Sequence, residues 1–219
     1  MATSELLSFA DVEAAALPDW RRLFDTLRTR YRTGDFATGL QLVARIGELA
    51  EAANHHPDVD LRYPTVAIVL WSHDAGGVTS RDIDLARRIS QAAAELGVEA
   101  DPSSLSVVEL ALDTAAHEEI KPFWRAVLGL TDDPELDTQL FDLVGSLPTL
   151  WFQHTEPHEE PRQRFHLDIR VPPEVAESRI AAALSAGGTL VTDENAPRFW
   201  VLADPQGNKA CVTTGRGRG

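Results

Sequence analysis

Apolar residues recur every three or four positions through Phe36, Leu40, Val43, Ile46, Leu49 or Ala50, and Ala53. That spacing lines one face of a helix. Asp35 stands just ahead of it and is a residue type that caps helix starts, so the pattern predicts a helix from Asp35 to about Asn54. Thr65–Trp71, TVAIVLW, is β-branched and apolar and reads as a strand. A second helical stripe follows in Ile83, Ala86, Ile89 or Ser90, Ala93 and Leu96, and Thr79 with Asp82 resembles a capping box in which Asp replaces Glu. Trp20–Tyr31 reads as two short strands, although charged residues interrupt it. The first half is therefore expected to run hairpin, helix, two strands, helix.

The pattern breaks at Gly97–Ser104, GVEADPSS, where Gly97 ends a helix and Pro102 forbids its continuation. Beyond Leu105 one arrangement occurs twice. Ser106–Leu112, SVVELAL, reads as a strand ahead of an amphipathic helix from about Ala116 to Leu128, and Arg164–Val171, RFHLDIRV, as a strand ahead of a helix from about Pro173 to Ala186. Each helix leads into strands, over Leu140–Gln153 and over Thr189–Thr213. The expectation is an α+β chain of two domains, 1–100 and 105–214, with a flexible tail at 215–219. The length of 219 residues is natural for two domains of about 100 residues each.

Composition narrows the function classes. Hydrophobic residues make up 43% of the chain, enough for packed cores. A formal net charge of −14 repels phosphate backbones and anionic lipid, which argues against nucleic-acid and membrane partners; Arg216 and Arg218 read as a frayed end. Cys211 is alone, so no intramolecular disulfide forms, as suits a reducing cytoplasm. No apolar run nears the roughly 18 residues that span a bilayer, and the acidic N-terminus does not read as a signal peptide, so a cytoplasmic location is expected.

The chemistry concentrates between Glu51 and Asp82. Glu51 lies four residues before His55-His56-Pro57, Tyr63 six after Pro57, His73 ten after Tyr63, and Asp82 nine after His73. Imidazole titrates near neutrality, so a histidine cluster suits proton transfer. Glu51 and His55, four apart, are expected on one helix face, with Glu51 orienting His55 by a hydrogen bond. The dipole at the helix end and the Glu51 carboxylate both favour a protonated ring. A solvated helix end and a polar loop residue would be the bland account of the same histidines, and a metal site a second alternative; adjacent histidines seldom aim at one ion.

The spacing resembles the signature of the pterin-4a-carbinolamine dehydratases, a family also known as a transcriptional dimerization cofactor. The resemblance implies a sheet with helices on one face and a homo-oligomer, dimer or tetramer. It implies loss of water from a 4a-hydroxytetrahydropterin with no metal, nucleotide or redox cofactor. By this resemblance His55 and His73 form the acid/base pair and His56 grips the ring. Backbone groups of His55–Pro57 and Ser72–Asp74 line the pterin, Asp82 caps a helix near the site, and Tyr63 supports it. Trp71 and Ser72 depart from the smaller or Thr-like residues expected before His73.

The second half resembles the glyoxalase-like, vicinal-oxygen-chelate superfamily, through its repeated strand–helix–strands pattern, through FWRAVLGL at Phe123–Leu130, and through the ending VLADPQGNKACV, in which Asp-Pro-x-Gly-Asn makes a turn. Two βαβββ modules around a cup are implied. Glu109 and His166 stand where that superfamily places ligands, whereas Cys211 stands where a Glu ligand would follow Gly207-Asn208. Three readings remain open here: a divalent-metal enzyme, a metal-free binding or assembly module, and a metal-free enzyme.

Overall fold

The computed structural model describes residues 5–105, 107, 109–157, 167–171 and 173–214. The chain is α+β and divides into two compact units, Met1–Val107 and Val108–Gly219, each with its own apolar core. No helix among the described residues is long and apolar enough to cross a membrane.

The first unit runs α1 (Phe9–Ala14), β1 (Arg21–Leu23), β2 (Thr26–Arg32), α2 (Phe36–Ala53), β3 (Asp58–Arg62), β4 (Thr65–Leu70), α3 (Ser80–Glu95) and β5 (Glu99–Ala100). The strands form an antiparallel sheet in the order β1-β2-β4-β3, with β5 pairing the far end of β2. Burial alternates along β2 and β4, so Leu27, Thr29 and Tyr31 point to the same side as Val66, Ile68 and Leu70. Leu42 and Ile46 of α2 and Leu85, Ala86 and Ile89 of α3 pack on that side. The short helix α1 was not evident from spacing; at six residues it shows too little periodicity, and its Ser8–Asp11 capping box carries its start.

The buried stripe of α2 differs from the expected one. Gly39, Leu42, Ile46 and Ala50 face inward, while Phe36 and Leu40 are more than half exposed. Gly39 sets this phase. A Cβ there would lie 2.6 Å from Leu61 Cδ1 and 3.3 Å from Thr33 Oγ1, so a residue without a side chain lets the helix settle onto the hairpin. Asp35 caps α2 through a 2.7 Å bond from the Thr38 N–H, and Thr79 and Asp82 form both halves of the α3 capping box.

The second unit contains two βαβββ modules. The first is β6 (Glu109–Thr114), α4 (His117–Leu128), β7 (Thr131–Asp132), β8 (Gln139–Phe141) and β9 (Thr149–His154); the second is β10 (Leu167–Arg170), α5 (Pro173–Ser185), β11 (Thr189–Thr192), β12 (Phe199–Ala203) and β13 (Lys209–Thr213). Their sheets follow the orders β6-β9-β8-β7 and β10-β13-β12-β11. In each, the first and last strands pair in parallel. The strand expected over Ser106–Leu112 lies at β6, and Ser106 falls outside the described residues, as do Arg164–His166 before β10 and the tail 215–219.

The closing turn shows why Asp204-Pro-Gln-Gly-Asn208 is needed. Asp204 is buried, and its Oδ1 accepts from the N–H groups of Gln206 and Asn208, both at 2.9 Å. Its Oδ2 accepts from Trp124 Nε1 at 3.0 Å and Asn208 Nδ2 at 2.8 Å. One carboxylate thereby ties the β12–β13 turn to α4. Where α5 ends, Gly188 lets the chain pass over Phe123: a Cβ there would sit 2.3 Å from the ring and 2.9 Å from the Ala183 carbonyl oxygen. Phe123 is fully buried and has nowhere to go. Gly188→Ala is therefore expected to destabilise the second unit by about 1–3 kcal/mol, seen in thermal unfolding as a lowered midpoint; an unchanged midpoint would contradict this packing.

Candidate active site

Helix α2 ends in a left-handed residue, Asn54, at φ 46°. The Asn54 N–H donates to the Glu51 carbonyl at 3.2 Å and the His55 N–H to that of Ala50 at 3.1 Å, the paired bonds of a Schellman motif. The reversal takes His55 out of the helical phase of Glu51 and starts an extended run through His56 and Pro57 into β3. The β3–β4 hairpin turns at Tyr63-Pro64 and returns antiparallel with Asp58 opposite Val69. The segment just beyond β4, Trp71–His73, thus comes back beside His55 and His56. Tyr63, expected to support the site, is exposed at the opposite end of the hairpin, about 17 Å along β3.

Asp82 is the centre of this arrangement. It has no exposed surface, and His55 is 8% exposed. Asp82 Oδ1 lies 2.7 Å from His55 Nε2. Oδ2 accepts from the Thr79 N–H at 2.8 Å, from Ser72 Oγ at 2.8 Å and from Thr79 Oγ1 at 3.2 Å. The two hydroxyls also bond one another at 2.8 Å. A carboxylate surrounded by donors is an acceptor on both oxygens, so the His55 ring nitrogen facing it carries the hydrogen. Nδ1, which makes no hydrogen bond among the described residues, is left as the atom with an available lone pair.

The expectation that Glu51 orients His55 is corrected here. Glu51 Oε1 instead lies 3.1 Å from His56 Nε2, with both side chains largely exposed. The i, i+4 argument fails because His55 lies past the end of the helix. Asp82 is both a helix cap and the partner of His55. The Ser72 hydroxyl also takes part, whereas only its backbone had been singled out. The capping-box spacing was the signal for this, since it directs Asp82 back onto Thr79 and the loop beside it.

His73 is exposed, and its ring centroid lies 4.1 Å from that of Trp71. Asp74 pairs with Arg81. The hydrogen bond from Arg81 holds the Asp74 carboxyl below the usual carboxylate range, and the Arg81 charge acts the same way. Arg81 Nε is buried with no hydrogen-bond partner. Sequence reasoning passed over this arginine, whose position in the first turn of α3 runs against the helix dipole.

The comparisons with known proteins follow the same division into two units. Residues 5–92 match the family described as "Pterin 4 alpha carbinolamine dehydratase". A Nocardia farcinica protein named "Putative pterin-4-alpha-carbinolamine dehydratase" is 46% identical over 93 residues, covering 42% of this chain and 98% of the relative. The chain belongs to the pterin-4a-carbinolamine dehydratase family. A protein of the same name from Thermosynechococcus vestitus is 42% identical over 92 residues, 41% of this chain and 97% of the relative. Residues 109–213 match a "Glyoxalase-like domain". Solved structures similar to parts of the chain include a transcriptional coactivator/pterin dehydratase from Brucella melitensis, at 28% identity and a TM-score of 0.39 over 41% of this chain and 99% of that one. A glyoxalase/bleomycin resistance protein from Albidiferax ferrireducens is similar at 21% identity and a TM-score of 0.38, over 48% and 95% respectively.

The dehydratase-family histidines all lie in the first unit. Of the residues singled out in the glyoxalase-like unit, His166 and the side chain of Glu109 lie outside the described residues. Cys211 stands opposite Asp168 in the β10–β13 ladder. Burial, with the hydrogen bond and charge of Asp168 adding to it, pushes the Cys211 thiol up to about 11. At neutral pH it is a thiol, a poor metal ligand and a poor nucleophile. Among the described residues no group of three His, Cys, Asp or Glu side chains is placed to hold a metal ion.

The two carboxylates of the dehydratase-family site make opposite predictions. Asp82→Ala strands His55, Ser72 and the Thr79 N–H in the interior and is expected to cost about 3–5 kcal/mol. Glu51→Gln, at a largely exposed pair, is expected to stay within about 1 kcal/mol of the parent chain. Urea unfolding of both variants decides the matter, and equal losses would contradict the assignment.

Proposed function

We propose that the first unit dehydrates a 4a-hydroxytetrahydropterin, such as 4a-hydroxytetrahydrobiopterin, to the quinonoid dihydropterin, in recycling of a pterin cofactor. The observation that carries this reading is the buried Asp82–His55 pair, which leaves Nδ1 unbonded next to the segment bearing His73. Family membership and the names of the relatives support it. In the reaction the C4a–O bond breaks, one proton joins the departing hydroxyl, and one leaves the neighbouring ring nitrogen N5; the balance is one water. A positioned acid and a positioned base supply both transfers. We assign proton removal to His55, because the Asp82 carboxylate stabilises the imidazolium formed when Nδ1 accepts a proton. Proton delivery then falls to His73. His56, steadied by Glu51, contacts the flat ring system, and backbone groups of Pro57 and Asp74 line it.

The chemistry needs no redox step, so the reading includes turnover without metal or organic cofactor. It also includes a homo-oligomer, supported by the exposed apolar side chains Phe36 and Leu40 on α2.

The test is a dehydration assay on freshly generated 4a-hydroxytetrahydropterin, following quinonoid product by absorbance. The chain is expected to accelerate the reaction after exhaustive chelation, and His55→Ala and His73→Ala are each expected to lose about 10²–10⁴-fold in rate. A folded chain that binds pterin without accelerating dehydration would overturn the proposal in favour of a binding module.

A further inference from the structure

Each histidine of the cluster is held differently. His55 has the buried Asp82 and His56 the exposed Glu51. For His73, the contact in the structure is the ring of Trp71, with centroids 4.1 Å apart and planes inclined by 52°; no hydrogen bond or ion pair to its side chain occurs among the described residues. We propose that Trp71 is a positioning residue for His73, doing by ring contact what Asp82 does for His55 by hydrogen bonding. The kinetic part of this rests on the dehydratase reading above.

The placement follows from the strand. Leu70 at the end of β4 and Ser72 two residues on are both buried, at 0% and 1% exposure, so the two-residue alternation of β4 continues past its last ladder pair. Ser72 turns inward to Asp82, and Trp71 and His73 fall together on the other side. Side chains two apart in an extended run are about 6–7 Å apart at their roots, a distance over which an indole and an imidazole meet and a smaller residue at position 71 would not reach. The loop immediately after His73 is tight: the Ser72 N–H donates to the Gly77 carbonyl at 2.8 Å, and the Ala75 and Gly76 N–H groups donate back to the Ser72 carbonyl at 3.0 and 2.9 Å. The backbone under His73 is thus fixed, and the freedom left is that of its side-chain torsions. An exposed imidazole without a partner exchanges rotamers in picoseconds to nanoseconds. The indole removes much of that freedom, since aromatic rings in contact favour a restricted set of tilted geometries. Trp71 acts through His73 and needs no contact with substrate.

The experiment uses the full chain with Trp71→Ala, Trp71→Leu and Trp71→Phe, alone and combined with His73→Ala, with thermal unfolding to select variants that remain folded. Removing the ring in the Ala and Leu variants is expected to lower kcat about 10-fold with KM within about twofold, while Phe recovers most of the rate. In the His73→Ala background the same changes are expected to have no further effect. Wild-type kcat in Trp71→Leu, or a loss that simply multiplies that of His73→Ala, would overturn the proposal. A second readout does not depend on turnover. In the parent chain the His73 ring protons are expected upfield of free imidazole, shifted by the indole ring current, and expected to return toward the free value in Trp71→Leu. If the parent chain does not dehydrate the pterin, the functional reading fails, but these resonances still decide the contact: unshifted His73 protons in the parent chain overturn it.

Discussion

Removing a carboxylate from water costs several kcal/mol unless its lone pairs are filled by well-placed donors. Asp82 has no exposed surface, and the groups that satisfy it come from the parts of the first unit that must meet for a site to exist. His55 arrives from the end of α2, Ser72 from the end of β4, and the Thr79 N–H and hydroxyl from the start of α3. The interaction that caps α3 therefore also fixes the hairpin end and the orientation of one imidazole. Loss of any one donor would leave the others in place but weaken the reason for burying the carboxylate.

The same economy governs the strand end. Alternation beyond β4 sends Ser72 inward to Asp82, the partner of His55, and leaves Trp71 and His73 together on the other face of the strand. His55 is held by charge and a hydrogen bond in the interior, where a low dielectric strengthens both. His73 is exposed and lies against an aromatic ring. This asymmetry is what an acid and a base sharing one flat substrate would use, since a buried carboxylate favours the ring that gains a proton.

Much of this was legible in the sequence, and the failures have local causes. The helices α2 and α3, the strand β4 and the repeated strand–helix–strands order of the second half followed from apolar spacing, the βαβββ form of that repeat from its resemblance to the glyoxalase-like superfamily, and the histidine cluster from its separations. The partner of His55 did not, because i, i+4 geometry holds only while the chain is helical; Asn54 in the left-handed region ends it one residue too early. The buried stripe of α2 was misphased because Gly39, which carries no hydrophobic signal, is the residue in closest approach to the hairpin. In the glyoxalase-like unit the fold was legible from its repeat and its Asp204 turn. No site emerged from the closing strand, where Cys211 occupies the expected ligand position and its thiol is held protonated by burial.

Asp82, and not Glu51, fixes His55 with its hydrogen on Nε2 and a free lone pair on Nδ1. A long-range proton–nitrogen spectrum of the histidine rings, recorded above neutral pH with His55 assigned through the His55→Ala variant, reads this directly. The Nε2–H tautomer is expected for His55, and it is expected to be retained in Glu51→Gln. A His55 in the Nδ1–H tautomer, or one whose tautomer changes with Glu51→Gln, would contradict it.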